Sequence, residues 1–434
     1  MYLQRKYFIN YLIIAFGCFL LVAFGLSLTL SVQDYNILAC QFVSIISFVF
    51  FVYIGKKLTY RCTLPLIFIF QLIFSYLLYW DFKNIVGHIL GYNPVDSLLY
   101  LELAGKTSNL SLERSLEVLS YRLDSLSDYG FPFFLKYVYW AAGGVETGHK
   151  LLIFLNCCFQ TIICYWTGQI ARNVGADIST TKMIVLLWGI NPCSVYLNVS
   201  GLKEPLFCLL CIAIMWNIYQ CHKNRSLIKH MFLLALIGMT WFFRNYMTFF
   251  LLFIYIGYDI FPFLYKKSFF VICVVSLIVC IGFTSVLIDF FPEIYYVMLQ
   301  SEEVLPSGIG KYMYYVLAFL APIPKFFNVA TPQMLIIVVY SILKYSCSIF
   351  AIIGSWYWIK THAVKYFPLI NIFLFSVIML IVSAHYIDYR YAYPIMPCFF
   401  ILMVEGAKYC KKRIAYSYLL FSAIIVIMFN MQLY

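Results

Sequence analysis

The sequence predicts an all-α polytopic membrane protein with about 13 transmembrane helices (about 12 to 14), because a span needs about 20 apolar residues and such runs fill most of the chain. Three observations carry that prediction. The 434 residues are 64% hydrophobic and 11% charged, roughly half the charge of a soluble domain. The apolar runs are continuous, whereas a transmembrane β-barrel would show short strands of alternating polarity. Basic residues gather in short segments between the runs. Together these exclude a secreted domain, a single-span receptor and a nucleic-acid binder, and they make the lipid bilayer the chain's surroundings.

The net charge of +12 reads as topology once it is placed along the chain. Arg5-Lys6, Lys56-Lys57-Arg61, Arg172 with Lys182, Lys223-Arg225-Lys229, Lys266-Lys267, Lys360 with Lys365, and Lys408-Lys411-Lys412-Arg413 hold 18 of the 30 basic residues. Only Asp177, Asp259 and Glu405 lie beside them. With that set on the cytoplasmic side, the excess is the positive-inside pattern, the N-terminus is cytoplasmic, and most acids face outward. Alternation then places spans near 8–30, 37–55, 63–80, 149–169, 182–200, 204–221, 229–243, 245–262, 268–288, 332–359, 366–384, 391–408 and 414–432. The first run is too long for the apolar part of a cleaved signal peptide and reads as a retained span. The 15 Cys lie mostly in apolar runs, and even Cys208-Leu-Leu-Cys211 reads as small apolar packing rather than a metal or redox motif.

The whole chain, 1–434, is expected to form one integral membrane domain with two outer loops. The first, 81–150, repeats apolar residues at helical spacing (Leu98, Leu101, Ala104; Leu112, Leu116, Leu119, Leu123), which predicts short amphipathic helices along the membrane surface. The second, 289–330, contains Pro-Ser-Gly-Ile-Gly and then a short apolar segment, Lys311 to Pro324, which ends in Ala321-Pro-Ile-Pro324. That segment suits a re-entrant or interfacial helix better than a span.

Ionisable residues beside the spans on the outer side are the candidates for chemistry, because charge near hydrocarbon is costly. Asp96 opens the first amphipathic helix. Its plainer role there is to complement the helix dipole; its functional role is to take a proton or bind a cation. Asp128 ends an acidic turn running into Tyr129-Gly130-Phe131-Pro132, where an aromatic interfacial belt explains the rings better than the acid. Lys203-Glu204-Pro205 stands at a helix start, where free N–H groups and the lysine favour an anion. Arg244, and Arg390 within Asp388-Tyr-Arg390-Tyr391, add guanidinium groups suited to phosphate, although a lone Arg can simply snorkel to water. Phosphate binders beside carboxylates are what transfer from a lipid-linked phosphate donor requires.

Asp96 to Tyr100 followed by Gly130-Phe-Pro132 resembles the first outer loop of the GT-C superfamily of integral membrane glycosyltransferases. Asn191-Pro192 leading to Lys203-Glu204-Pro205-Leu206, then Arg244-Asn-Tyr246, Ala321-Pro-Ile-Pro324 and Arg390-Tyr-Ala-Tyr-Pro394, are similar to features of that superfamily and of O-antigen or capsule repeat-unit polymerases. The resemblance implies a GT-C-like fold and a polyprenyl-phosphate or polyprenyl-diphosphate sugar or oligosaccharide as donor and acceptor. It further implies a bacterial inner membrane, a chain-length regulator as a partner, and Asp96 as base. Asp96 would also be the ligand if a divalent cation takes part, but it is followed by Ser97, where many of these enzymes carry a second acid. Glu204 and Asp128 would then orient the acceptor, and Lys203, Arg244, Arg390, Asp388 and Tyr391 would bind the donor phosphate. Two alternatives stand beside repeat-unit polymerisation. One is a GT-C enzyme adding a single sugar. The other is a flippase for lipid-linked oligosaccharide, for which Lys344 within a span would be the coupling residue.

Overall fold

Long apolar runs, broken only by Gly, Pro and basic turns, fold into helices because a backbone inside a bilayer must satisfy its hydrogen bonds within itself. The computed structural model describes residues 2–29, 35–90, 95–123, 126–260, 334–382 and 389–432, with positions 323, 324 and 326. The expected span 268–288, and the second outer loop 289–330 apart from 323, 324 and 326, lie outside them. Among the described residues there are helices and no strand. They run α1 Tyr2–Thr29, α2 Tyr35–Lys57, α3 Tyr60–Asp81, α4 Val95–Thr107, α5 Leu112–Arg122, α6 Gly130–Ala142, α7 Val145–Asn173, α8 Ile178–Gly189, α9 Pro192–Val199 and α10 Glu204–Lys223. Then follow α11 Leu227–Met239, α12 Asn245–Tyr255, α13 Met334–Lys360, α14 Phe367–Val382, α15 Tyr389–Ala392, α16 Met396–Gly406 and α17 Lys412–Gln432. Six described helices are long and apolar enough to cross a membrane, and five shorter apolar helices accompany them.

The residues form two compact units: Met1–Phe50 with Asn173–Thr180 and Ile256–Tyr434, and Phe51–Arg172 with Thr181–Tyr255. In the first, α1, α13 and α17 meet through rings, Tyr11 lying edge-on to Phe350 with centroids 4.8 Å apart. The Tyr11 hydroxyl donates to Ser346 O (2.6 Å) and the Tyr418 hydroxyl to Tyr345 O (2.9 Å). Buried phenols need such partners. Helices α13 and α16 approach closely enough that a Cβ on Gly354 would lie 2.6 Å from Gly406 Cα. Small residues permit that approach where lipid supplies little hydrophobic drive for association. At the end of α17, Asn430 accepts from Phe326 N (2.8 Å) and donates to Pro324 O (3.0 Å), fixing the end of the Ala-Pro-Ile-Pro segment.

In the second unit the expected continuous span 182–200 is interrupted. Pro192 lacks an N–H and disfavours helical geometry at the preceding residue. Asn191 is accordingly extended (φ −68°, ψ 123°), and its side chain caps α9 by accepting from Cys193 N. The freed polar groups are met from α3, where Gln71 donates to Gly189 O (2.6 Å) and Ser194 Oγ (2.7 Å) and accepts from Asn198 Nδ2 (2.9 Å).

The loop 81–150 forms the expected helices α4 and α5, together with α6, around a small core of Leu103, Leu119 and Leu123. Leu98, Leu112 and Leu116, expected on the apolar face, are exposed. Ala104, Leu119 and Leu123 of the same expected set are buried, and Lys136 of α6 reaches into the α4–α5 turn, donating to Leu110 O (2.7 Å) and Ser115 Oγ (2.6 Å).

Candidate functional site

The corner between α9 and α10 organises the second unit's charges. Gly201 turns the chain there with φ +69°, a conformation that costs an L side chain about 1–2 kcal/mol. A Cβ on it would also meet Leu90 at 2.9 Å, His149 at 3.5 Å and Ser97 at 3.8 Å. Ser97 follows Asp96, so the start of α4 lies against this corner. Two residues beyond Gly201, Lys203 precedes α10 as its N-cap, and Glu204 and Pro205 open the helix. Pro fits that first turn because its missing N–H would be unpaired in any case.

Each charge of this pair has an opposite partner far away in sequence. Lys203 forms an ion pair with Asp128 and donates to Phe243 O at 3.1 Å. Asp128 reaches it because Gly130 lets the chain approach the Thr240–Phe242 turn; a Cβ on Gly130 would sit 2.8 Å from Phe242 O. Glu204 Oε1 accepts from Arg244 Nη2 at 3.1 Å, and both side chains are buried (4% and 8% exposed). The other end of the guanidinium, Nη1, donates to the Tyr246 hydroxyl at 3.3 Å, and the group lies over the Phe207 ring. Glu204 Oε2 is buried and has no hydrogen-bond partner among the described residues.

Tyr100 of α4 registers the whole group. Burial raises its pKa, and the nearby charges of Asp128, Glu204 and Asp96 raise it further, while Arg244 lowers it. The phenol therefore stays protonated at neutral pH. The charges of Asp96, Asp128, Glu204 and Arg244, spread over 149 positions of sequence, thus all act on one buried phenol, and Lys203 joins them through Asp128. Asp96 is exposed and lies in the first turn of α4.

The remaining expected residues are placed differently. Arg390 is in α15, partly exposed, and belongs to the first unit. Asp388 lies outside the described residues, as does the side chain of Tyr391. Lys344 is buried in α13, with its ammonium 5.8 Å from the Phe399 ring centroid. Sequence reading missed Tyr100 and Gly201; the signal for Gly201 was a glycine between two helices directly before Lys203-Glu204-Pro205. A divalent cation does not fit this group. Among the described residues no three of His, Cys, Asp and Glu gather closely enough to hold a metal ion, and two of the cluster's three acids already face cations.

The class these findings define is an all-helical protein with several helices built to lie in a membrane and a charged cluster at one helix start. No family model, curated protein or solved structure matches the chain.

Proposed function

We propose that this chain is a membrane glycosyltransferase that uses a polyprenyl-phosphate or polyprenyl-diphosphate sugar, and within that class a repeat-unit polymerase of a bacterial surface polysaccharide such as O-antigen or capsule. The observation that carries the reading is the gathering of Asp96, Asp128, Glu204, Lys203 and Arg244 about Tyr100. Transfer from such a donor has two needs: cations to oppose charge growing on the leaving phosphate, and a carboxylate to take the acceptor's proton. Lys203 is the cation with easier access, since its Asp128 partner is 38% exposed and can yield to a phosphate oxygen. The donor carries its own leaving group, so no nucleotide is required. Arg390, Asp388 and Tyr391 remain further candidates for the donor phosphate, a chain-length regulator a candidate partner, and the periplasmic side of the inner membrane the proposed place of reaction.

Flipping of a lipid-linked oligosaccharide is the second reading, favoured by the buried Lys344 within a span. Gel profiles of surface polysaccharide from cells with and without the gene separate the two. Deletion is expected to replace the polymer ladder with a single-repeat product. Loss of all surface product would indicate flipping or another earlier step, and an unchanged ladder would end the polymerase reading.

A further inference from the structure

The ion pair that opens α10 is half made. Arg244 can engage a carboxylate through two parallel bonds, yet only Nη2 faces Glu204, at 3.1 Å, and Nη1 turns to the Tyr246 hydroxyl. Glu204 Oε2 is left buried without a hydrogen-bond partner among the described residues. An anionic oxygen in that state is costly to keep, and such exceptions call for a cause. Here the orphan oxygen belongs to the group of charges that acts on Tyr100. It also stands on the first residue of a helix whose start is stiffened by Pro205. A rigid, desolvated acceptor of this kind is pre-organised for a donor that arrives with a ligand.

The local charge selects the donor. A carboxylate oxygen only accepts hydrogen bonds, so the ligand must bring an O–H or N–H. Among the described residues, Lys203 faces Asp128 and Arg244 faces Glu204, so Oε2 itself offers nothing to an added anion. A divalent cation lacks, among the described residues, the ligands it would need. Under the glycosyl-transfer reading, the group that brings an O–H to Oε2 is the acceptor sugar's hydroxyl.

We propose that Glu204 Oε2 receives the hydroxyl of the acceptor sugar, and that Glu204, rather than Asp96, is the base of the reaction. This rests on the glycosyl-transfer reading above. As the acceptor oxygen forms its bond to the anomeric carbon, its proton passes to Oε2. The bond from that carbon to the phosphate oxygen breaks, and its electron pair leaves with the lipid phosphate. The proton then returns from Glu204 to water. Arg244 acts as a positioning residue: it holds Oε1 and so fixes where Oε2 points.

The test uses the full chain in nanodiscs with the lipid-linked repeat unit extracted from cells that lack the gene, which serves as both donor and acceptor. E204Q and E204A are expected to lower transfer by about 10²-fold or more, the usual worth of a base, while the lipid-linked unit still raises the melting temperature. Excess formate is expected to restore transfer in E204A by about tenfold, as a carboxylate returning to an emptied site of general-base chemistry. It should do nothing for E204Q, whose amide fills the space. Rescue separates a base from a merely structural residue. Normal transfer by E204Q, or a stable E204A that formate does not rescue, overturns the assignment and leaves the transferase reading standing. Formate rescue of D96A in place of E204A would move the base to Asp96. If E204A does not fold, the near-isosteric E204Q decides. Absence of product from the unsubstituted protein overturns the transferase reading itself.

Discussion

Gly201 shows how much of the site hangs on a single backbone angle. Its φ of +69° and the crowding by Leu90, His149 and Ser97 leave no room for a side chain. Gly201→Ala is expected to lower stability by about 1–3 kcal/mol, from the left-handed conformation and overpacking together. It should also slow any reaction at the corner, because the same turn sets Lys203 and Glu204 against the start of α4. Thermal unfolding in detergent, compared with an alanine at Gly87, measures this; Gly87 is also left-handed, but nothing stands within 4 Å of its Cβ position. Equal losses at the two glycines would show that crowding contributes nothing. The sequence exposed Lys203-Glu204-Pro205 as a charged helix start, since residue types there follow from helix-end physics. It could not expose their partners, because Asp128 is 75 positions and Arg244 40 positions away, and such pairings depend on how helices pack.

Helix formation was legible and helix continuity was not. Hydropathy alone located the apolar runs, yet 182–200 divides at Asn191 into α8 and α9, and 391–408 divides into α15, the short turn Tyr393–Ile395 and α16. Both breaks fall at prolines that are plain in the sequence. What made the first tolerable was not visible there: Gln71, 118 positions away, meets the carbonyl that the break releases. In the loop helices the periodicity placed Ala104, Leu119 and Leu123 inside, whereas the bond from Lys136 to Ser115, 21 positions away, was not visible in it. At this scale the crossing of α13 and α16 offers a measurable consequence. Gly406→Val is expected to destabilise the protein by about 1–3 kcal/mol, because the added atoms would overlap the Phe350 carbonyl. The check is a fall in melting temperature that Gly17→Val, with open space around it, does not produce.

For the molecule as a whole, charge placement sets orientation. Single cysteines introduced in a background without native Cys should react with a membrane-impermeant maleimide from the cytoplasmic side at Asn224 and Thr361, and from the opposite side at Tyr121 and Gly144. These positions lie beside the basic clusters and in the first outer loop, respectively, and the basic clusters fix the side. The reverse pattern would put the charged cluster about Tyr100 in the cytoplasm and defeat a periplasmic reaction. Helical class and helices apolar enough to cross a membrane were written in composition, because a bilayer acts on every stretch of chain independently of its fold. Which acid meets which base, which carboxylate oxygen is left over, and which glycine must bend were decided only in the folded chain. Those are contacts between segments remote in sequence, and their free energies depend on burial and distance that no local run of residues contains.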